Sequence, residues 1–362
     1  MRRGRLLLGA AAALVAVRLA LPFALEWWVE RVLDGTEGYS GRVGDVDLAL
    51  LRGAYRVEEV AIWKQEGDLP VPLFAARAID LSVLWSSLLQ GRLVGEIALD
   101  RPVVNFVAGP DAAATQTGEE ANWWERVQAL FPLELGRVEV ADGEVWYRDY
   151  HAEPRVDVRL ERVDAVARNL TNRRERAAGR PATVQVRASA FGQGHLEARL
   201  RIDPFADAPD FLLEGTLENL PLVRLNEVFR AYGRFDVQEG RLDVVTEVRA
   251  QGGGFEGYVK PLIQDLDVLH LGDEGGHPLG LLWDAVVGAF GEVLENQPED
   301  QIAARIPLAG SFEEPHIGGW RAFGSLLRNA YVEALRPHLE RVFARRLALR
   351  PRDGDGTALA TP

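Results

Sequence analysis

Apolar and polar residues alternate along much of this chain with a period of two. In Gly194 to Asp203 (GHLEARLRID), Leu196, Ala198, Leu200 and Ile202 fall on one side of an extended chain, with Glu197, Arg199, Arg201 and Asp203 on the other. Successive side chains of a strand point to opposite faces, so this stretch predicts a sheet with one oily and one wet face. The pattern recurs. Val156, Val158, Leu160 and Val163 oppose Arg155, Asp157 and Arg159; Val184, Val186, Ala188 and Ala190 oppose Thr183, Gln185 and Arg187. Leu242, Val244, Thr246 and Val248 oppose Arg241, Asp243, Glu247 and Arg249, while Val245 breaks the polar side. One-sided patterning with short glycine-containing turns predicts antiparallel sheet.

Upstream, the pattern predicts two strands in 41–63 joined near Gly53, one in 72–85 and more in 91–107, with a helical WSSLLQ between the last two. The polar, aperiodic GPDAAATQTGEEA (109–121) reads as a mobile loop and NWWERVQALF as a short helix. A second strand series begins with 135–149, read as a hairpin turning at Asp142-Gly143. It continues through 155–166, 182–191, 194–203 and 211–220 to a helix at LVRLNEVFRAY, then RFDVQEG, RLDVVTEVRAQ and 254–269. Gly252, Gly253 and Gly254 mark a hairpin turn there. At about 14 strands and ~4.8 Å per strand, the sheet would extend about 65–70 Å.

The two ends differ from this middle. Three arginines in MRRGR precede Leu6 to Leu25, a run about as long as a membrane-spanning helix, roughly 20 residues. Arg18 interrupts it but lies near the far end, where its long stem reaches the interface. The run also suits the core of a cleaved signal peptide, although Ala20-Leu21-Pro22 makes a poor cleavage site. Either reading exports the body from the cytoplasm, because the arginines stay inside. Trp27 and Trp28 follow in EWWVE, suited to the headgroup layer or to an amphipathic helix packed on the body. Past Leu269 helices dominate: PLGLLWDAVVGAFGEVLEN is one, and 318–349 is another with an apolar stripe and an arginine face. That last helix either plugs the end of the sheet or lies on anionic headgroups. The expected organisation is an anchor at 1–25, a β domain at 26–270, a helical cap with one added strand at 271–349, and a disordered tail at 350–362.

Of 362 residues 47% are hydrophobic, enough for a large core, and a net charge of -13 argues against nucleic acid as a partner. With no cysteine, disulfides and thiolate chemistry are excluded. The six histidines (His151, His195, His270, His277, His316 and His338) are scattered, and no ligand-spaced pair predicts a metal site. There is no G-x-S-x-G elbow, no P-loop and no strand-linked G-x-G-x-x-G. Paired acids such as Glu119-Glu120 and Glu313-Glu314 fall in predicted loops, as solvated charge would. The chain reads as no enzyme, with no cofactor.

A one-sided sheet has to hide its apolar face. A sandwich covers it with a second sheet; a trough leaves it free for a ligand. Periodicity alone favours the sandwich slightly. GRVGDVDLALLRGAYRVEEVAI, then IALDRPVVNF, then LELGRVEVADGEVWYRD resembles the AsmA-like proteins of bacterial envelopes. The run from Phe191 to Pro261 is similar to their repeated strand unit, and LAGSFEEPHIGGW…LLRNAYVEALRP to the closing segment of a branch catalogued as a domain of unknown function. The resemblance implies a mainly β protein with α caps: an N-terminal transmembrane helix, a long curved antiparallel sheet forming a groove, and C-terminal amphipathic helices. It implies a single-pass protein of the bacterial inner membrane, N-terminus cytoplasmic and body periplasmic, related to bridge-like lipid-transfer proteins. Membrane phospholipid is then the expected partner, with other envelope proteins as further candidates. The groove would be lined by Val156, Val158, Leu160, Val184, Val186, Leu196, Leu200, Ile202, Leu242, Val244 and Val248, and Arg18, Trp27 and Trp28 would mark the membrane interface. The alternative is an envelope assembly or scaffold protein with a closed β core.

Overall fold

The computed structural model describes residues 38–49, 54–83, 94–118, 134–170, 181–203, 208–233, 235–270, 301–303 and 305–312, with Arg31, Ala206 and Phe323. They form one 15-stranded sheet. In chain order the strands are β1 (Tyr39–Arg42), β2 (Asp45–Ala49), β3 (Ala54–Lys64), β4 (Phe74–Val83), β5 (Val94–Asp100), β6 (Val103–Ala108), β7 (Glu134–Asp149) and β8 (Val156–Leu170). They continue as β9 (Ala182–Ala190), β10 (Gly194–Asp203), β11 (Asp210–Pro221), β12 (Phe235–Gln251), β13 (Gly254–His270), β14 (Gln301–Ala303) and β15 (Ile306–Ser311). A helical segment, Leu222–Gly233, joins β11 to β12.

Three pairs lie end to end in one register: β1 and β2 on β3, β5 and β6 on β4, and β14 and β15 on β13. The sheet therefore has twelve ranks. At ~4.8 Å per rank it extends about 53 Å, less than the sequence pattern suggests.

Mainly β architecture agrees with the alternation, but the sheet is mixed. Strand β7 runs parallel to β5 and β6. A parallel neighbour cannot be reached by a tight turn and needs a crossover of a dozen or more residues, which the stretch 109–133 supplies. Its first part, expected to be a mobile loop, is tied to the sheet. The Lys64 Nζ donates to the Ala112 and Thr115 carbonyls, both at 2.6 Å, and Gln116 pairs its backbone with Val107.

Asp142-Gly143 is no hairpin. β7 runs straight through it, with a register shift between Val140 and Gly143 and Asp142 at φ 52. RFDVQEG and RLDVVTEVRAQ likewise form the single strand β12, kinked at Gly240. Such bulges explain why the period of two slips. Glu59, Arg162, Asn219 and Asp265 also sit at positive φ inside strands. Each places two apolar residues, three positions apart, on one face: Val57 and Val60, Leu160 and Val163, Leu217 and Leu220, Ile263 and Leu266. A bulge bends its strand and sharpens the local twist. The Asp142 and Asn219 N–H groups donate to Asp164 and Asp243 on neighbouring strands. The turn at Gly252 and Gly253, both at positive φ, joins β12 to β13 as expected.

Residues 1–25, Trp27 and Trp28 lie outside the described residues, as do most of 271–349 and the tail. Among the described residues no helix is long and apolar enough to cross a membrane. The strand expected at 301–312 is present as the two pieces β14 and β15.

Candidate functional site: an apolar track across the strands

Cross-strand register shows what single strands cannot. One rung of paired residues runs through Val46, Val57, Ile79, Leu99, Val140 and Ala165. It continues through Val186, Ala198, Gly215, Thr246, Val259 and Ile306, crossing all twelve ranks. The rung two residues away passes through Tyr55, Leu81, Ile97, Val138 and Ala167. It then takes in Val184, Leu200, Leu213, Val248, Gly257 and Leu308. Apart from one threonine and one tyrosine, both rungs are aliphatic or glycine. Paired residues share a face, so the oily faces of the individual strands join into one track perpendicular to them.

Four parts of this apolar face are covered, one of them around Leu81, Ile97 and Leu135 of β4, β5 and β7, with Ile79, Leu99 and Val138 packed against them. At the first ranks Tyr39, Val43, Val46, Val57, Val60, Ile62 and Leu73 make a closed cluster. There Tyr55 is held neutral, its pKa pushed up by burial. At the ends of β10 to β12, Leu200, Ile202, Phe211, Val248 and Ala250 are buried. Phe312 and Phe323 close over them, their ring centroids 6.4 and 5.6 Å from that of Phe211 in edge-on contact.

At the opposite ends the helical segment packs on two walls. Val228, Leu225 and Tyr232 meet Tyr147, Val156 and Val158, while Leu222 and Phe229 meet Phe235, Val237 and Ile263. The segment is short and irregular, so its fixing is tertiary. The Asn226 side chain pairs with the Val237 backbone, donating at 2.8 Å and accepting at 2.9 Å, as a neighbouring strand would. The Tyr232 hydroxyl donates to Asp149 Oδ2 at 2.7 Å. Burial first, then that carboxylate, pushes the Tyr232 pKa up.

The predicted lining residues thus divide. Val156 and Val158 lie beneath the helical segment; Leu200, Ile202 and Val248 lie beneath the phenylalanines, with Val184 at their edge; Leu242 packs at the edge of the Phe235 cluster. Leu160, Val186, Leu196 and Val244 stay half-buried and join no buried cluster among the described residues. Around them the structure sets Ala165, Ala167, Gly215, Leu217 and Val259, also half-buried, which strand-by-strand reading missed, and Ala198, which that reading put on the apolar side of its strand but not in the lining. Alanine, glycine and threonine carry little hydrophobic signal, and which strands stand side by side is not written in any one of them. On this face the middle of the sheet is floored by small side chains and flanked by large ones.

The charged face is built of surface ion pairs, such as Arg56 with Asp80 at 2.7 Å and Arg187 with Glu197 at 3.1 Å. Among the described residues no three potential ligands gather into a metal site. No protein-family model matches the chain, and no curated protein matches it. Function is therefore a question for the geometry of the apolar face.

Proposed function

We propose that the chain binds or guides phospholipid acyl chains along this track, as an inner-membrane-anchored periplasmic protein contributing to envelope lipid transport. The observation that carries this reading is the half-buried middle of the apolar rung through Ala165, Val186, Ala198, Gly215, Thr246 and Val259, with Leu196, Leu217 and Val244 half-buried beside it. A sandwich would press a second layer of large side chains onto that band. Here alanine, glycine and valine leave a shallow floor. From β8 to β13 the band crosses six ranks, about 24 Å at ~4.8 Å each. One leaflet of a bilayer's ~30 Å hydrocarbon core is about 15 Å deep, so the band accommodates a whole acyl chain laid along it. The resemblance to the AsmA-like proteins points the same way, and the basic, apolar N-terminus suits an anchor.

The experiment is extraction of the full chain from membranes in two unrelated detergents, followed by mass spectrometry of the purified protein. Stoichiometric phospholipid in both preparations is the expected result. Lipid-free protein from both would defeat the proposal in favour of a scaffold with a filled core.

A further inference from the structure

The connection between β11 and β12 does more than join two neighbours. Antiparallel neighbours need only a two-residue turn, yet the helical segment Leu222–Gly233 reaches back past β10 and β9. There it packs on Tyr147 of β7 and on Val156 and Val158 of β8. It is a strap, and its two flanks are fastened differently. On the β12 flank Asn226 exchanges two hydrogen bonds with the Val237 backbone. Arg230 Nε donates to Asp236 Oδ2 at 3.0 Å, and Phe229 stacks on Phe235 with ring centroids 4.9 Å apart. On the far flank the polar fastening is Tyr232, whose hydroxyl donates to Asp149 Oδ2 beside the Tyr147 phenol. The first flank is built as a hinge, the second as a latch.

The strap passes through 3₁₀, α and π turns in succession, and neither its 3₁₀ nor its α turn starts on a side-chain cap. So short and irregular a helix has little stability of its own, and the contacts beneath hold it in place. Under it Val156 and Val158 are buried, whereas Leu160, next on the same face of β8, is half-buried. Burial falls away past the strap, and the covered residues continue the open band. An acyl chain laid on Tyr147, Val156 and Val158 replaces the apolar contacts the strap makes there. Lipid therefore has a differential affinity for the lifted state, which is what shifts such an equilibrium. Elements that move to admit ligands are drawn from segments held this locally.

We propose that Leu222–Gly233 is a gate for acyl chains. It swings on its β12 flank, and release of Tyr232 from Asp149 admits a phospholipid chain to Tyr147, Val156 and Val158 and so to the open band. The gate rests on the acyl-track reading and adds to it the place of entry. The test follows uptake of deuterated palmitoyl-oleoyl phosphatidylethanolamine from mixed micelles into the detergent-solubilised full chain, by native mass spectrometry. Hydrogen exchange is measured separately on the same proteins. Tyr232→Phe keeps the ring and drops a hydrogen bond to a carboxylate, so exchange in the strap should rise about tenfold. Lipid uptake should quicken severalfold, with exchange at β3 unchanged. Because the chain has no cysteine, D149C/Y232C supplies a single pair of thiols that a short bis-methanethiosulfonate bridges. The bridged protein should take up lipid about tenfold more slowly than the native chain, and reduction should restore uptake.

Equal uptake by the native chain, Y232F and the bridged protein overturns the gate and leaves the acyl track standing. Lipid neither carried nor taken up by any of them overturns both, because the gate then has nothing to admit. Loss of the fold in the double variant would show as raised exchange at β3, and Y232F alone then decides. Faster exchange in its strap with unchanged uptake overturns the gate; faster exchange with faster uptake supports it.

Discussion

Val57 and Ala198 stand on the same rung of the same sheet, and their surroundings are opposite. Val57 is 4% exposed, enclosed with Tyr39, Val43, Val60 and Leu73. Ala198 is half-buried, flanked on its rung by Val186 and Gly215. Each is paired on both sides with antiparallel neighbours. What differs is the material across from the rung: large side chains from the first strands close one end, and small ones floor the middle. A continuous apolar face is thus fixed by the strand pattern, while its use as core or as binding surface is decided by what stands opposite.

Charge substitution sharpens this comparison most. Val57→Asp should cost about 4 kcal/mol or abolish folding, because it leaves an uncompensated charge in a closed cluster. Ala198→Asp should cost about 1 kcal/mol, nearer to a surface change. Urea denaturation of both variants measures the difference, and equal losses would show the middle to be closed core.

Bulk comes next. Ala198→Phe should cut co-purifying phospholipid severalfold at unchanged secondary structure, whereas Val57→Ala should lower stability and leave the lipid content alone. Lipid quantitation beside thermal melts reads both.

Asn226→Ala should cost about 1–2 kcal/mol, since it strips two hydrogen bonds from the buried Val237 backbone. Hydrogen exchange should rise at Val237 and in the helical segment and stay unchanged at β3. Protection lost throughout the sheet would mean that the segment holds the whole fold together.

Alkaline pH gives the smallest effect. Burial raises the pKa of both Tyr55 and Tyr232, so the folded chain keeps them neutral where the unfolded chain ionises them, above about pH 10. Their contribution to stability is full below that pH and falls as pH rises beyond it. Absorbance titration at alkaline pH should show these two tyrosines ionising together with unfolding.

Much of this arrangement was legible in the chain. Leu196 to Ile202 alternate as the strand β10 does, and the glycines at 252 and 253 turn where they were expected to. Asp142-Gly143 misled, because the same aspartate-glycine pair that opens a tight hairpin also accommodates a bulge, and only the neighbouring strand distinguishes them. The parallel pairing of β7 was hidden for a similar reason: a crossover leaves no local mark on the strands it joins. Val156 and Val158 carry the same alternation as Val186 and Leu196, yet the helical segment covers the first pair alone. Covering is a tertiary fact, set for that pair by Asn226 and Tyr232, residues far away along the chain.

The most direct test of an open acyl track places a photo-crosslinking benzoylphenylalanine at Leu196 in the middle of the sheet and, separately, at Val60 in the sealed end. The protein is irradiated in membranes and analysed intact by mass spectrometry. The account predicts phospholipid adducts from position 196 and only protein-internal products from position 60. Protein-internal products alone from position 196 would contradict it, because the middle of the sheet would then be ordinary core.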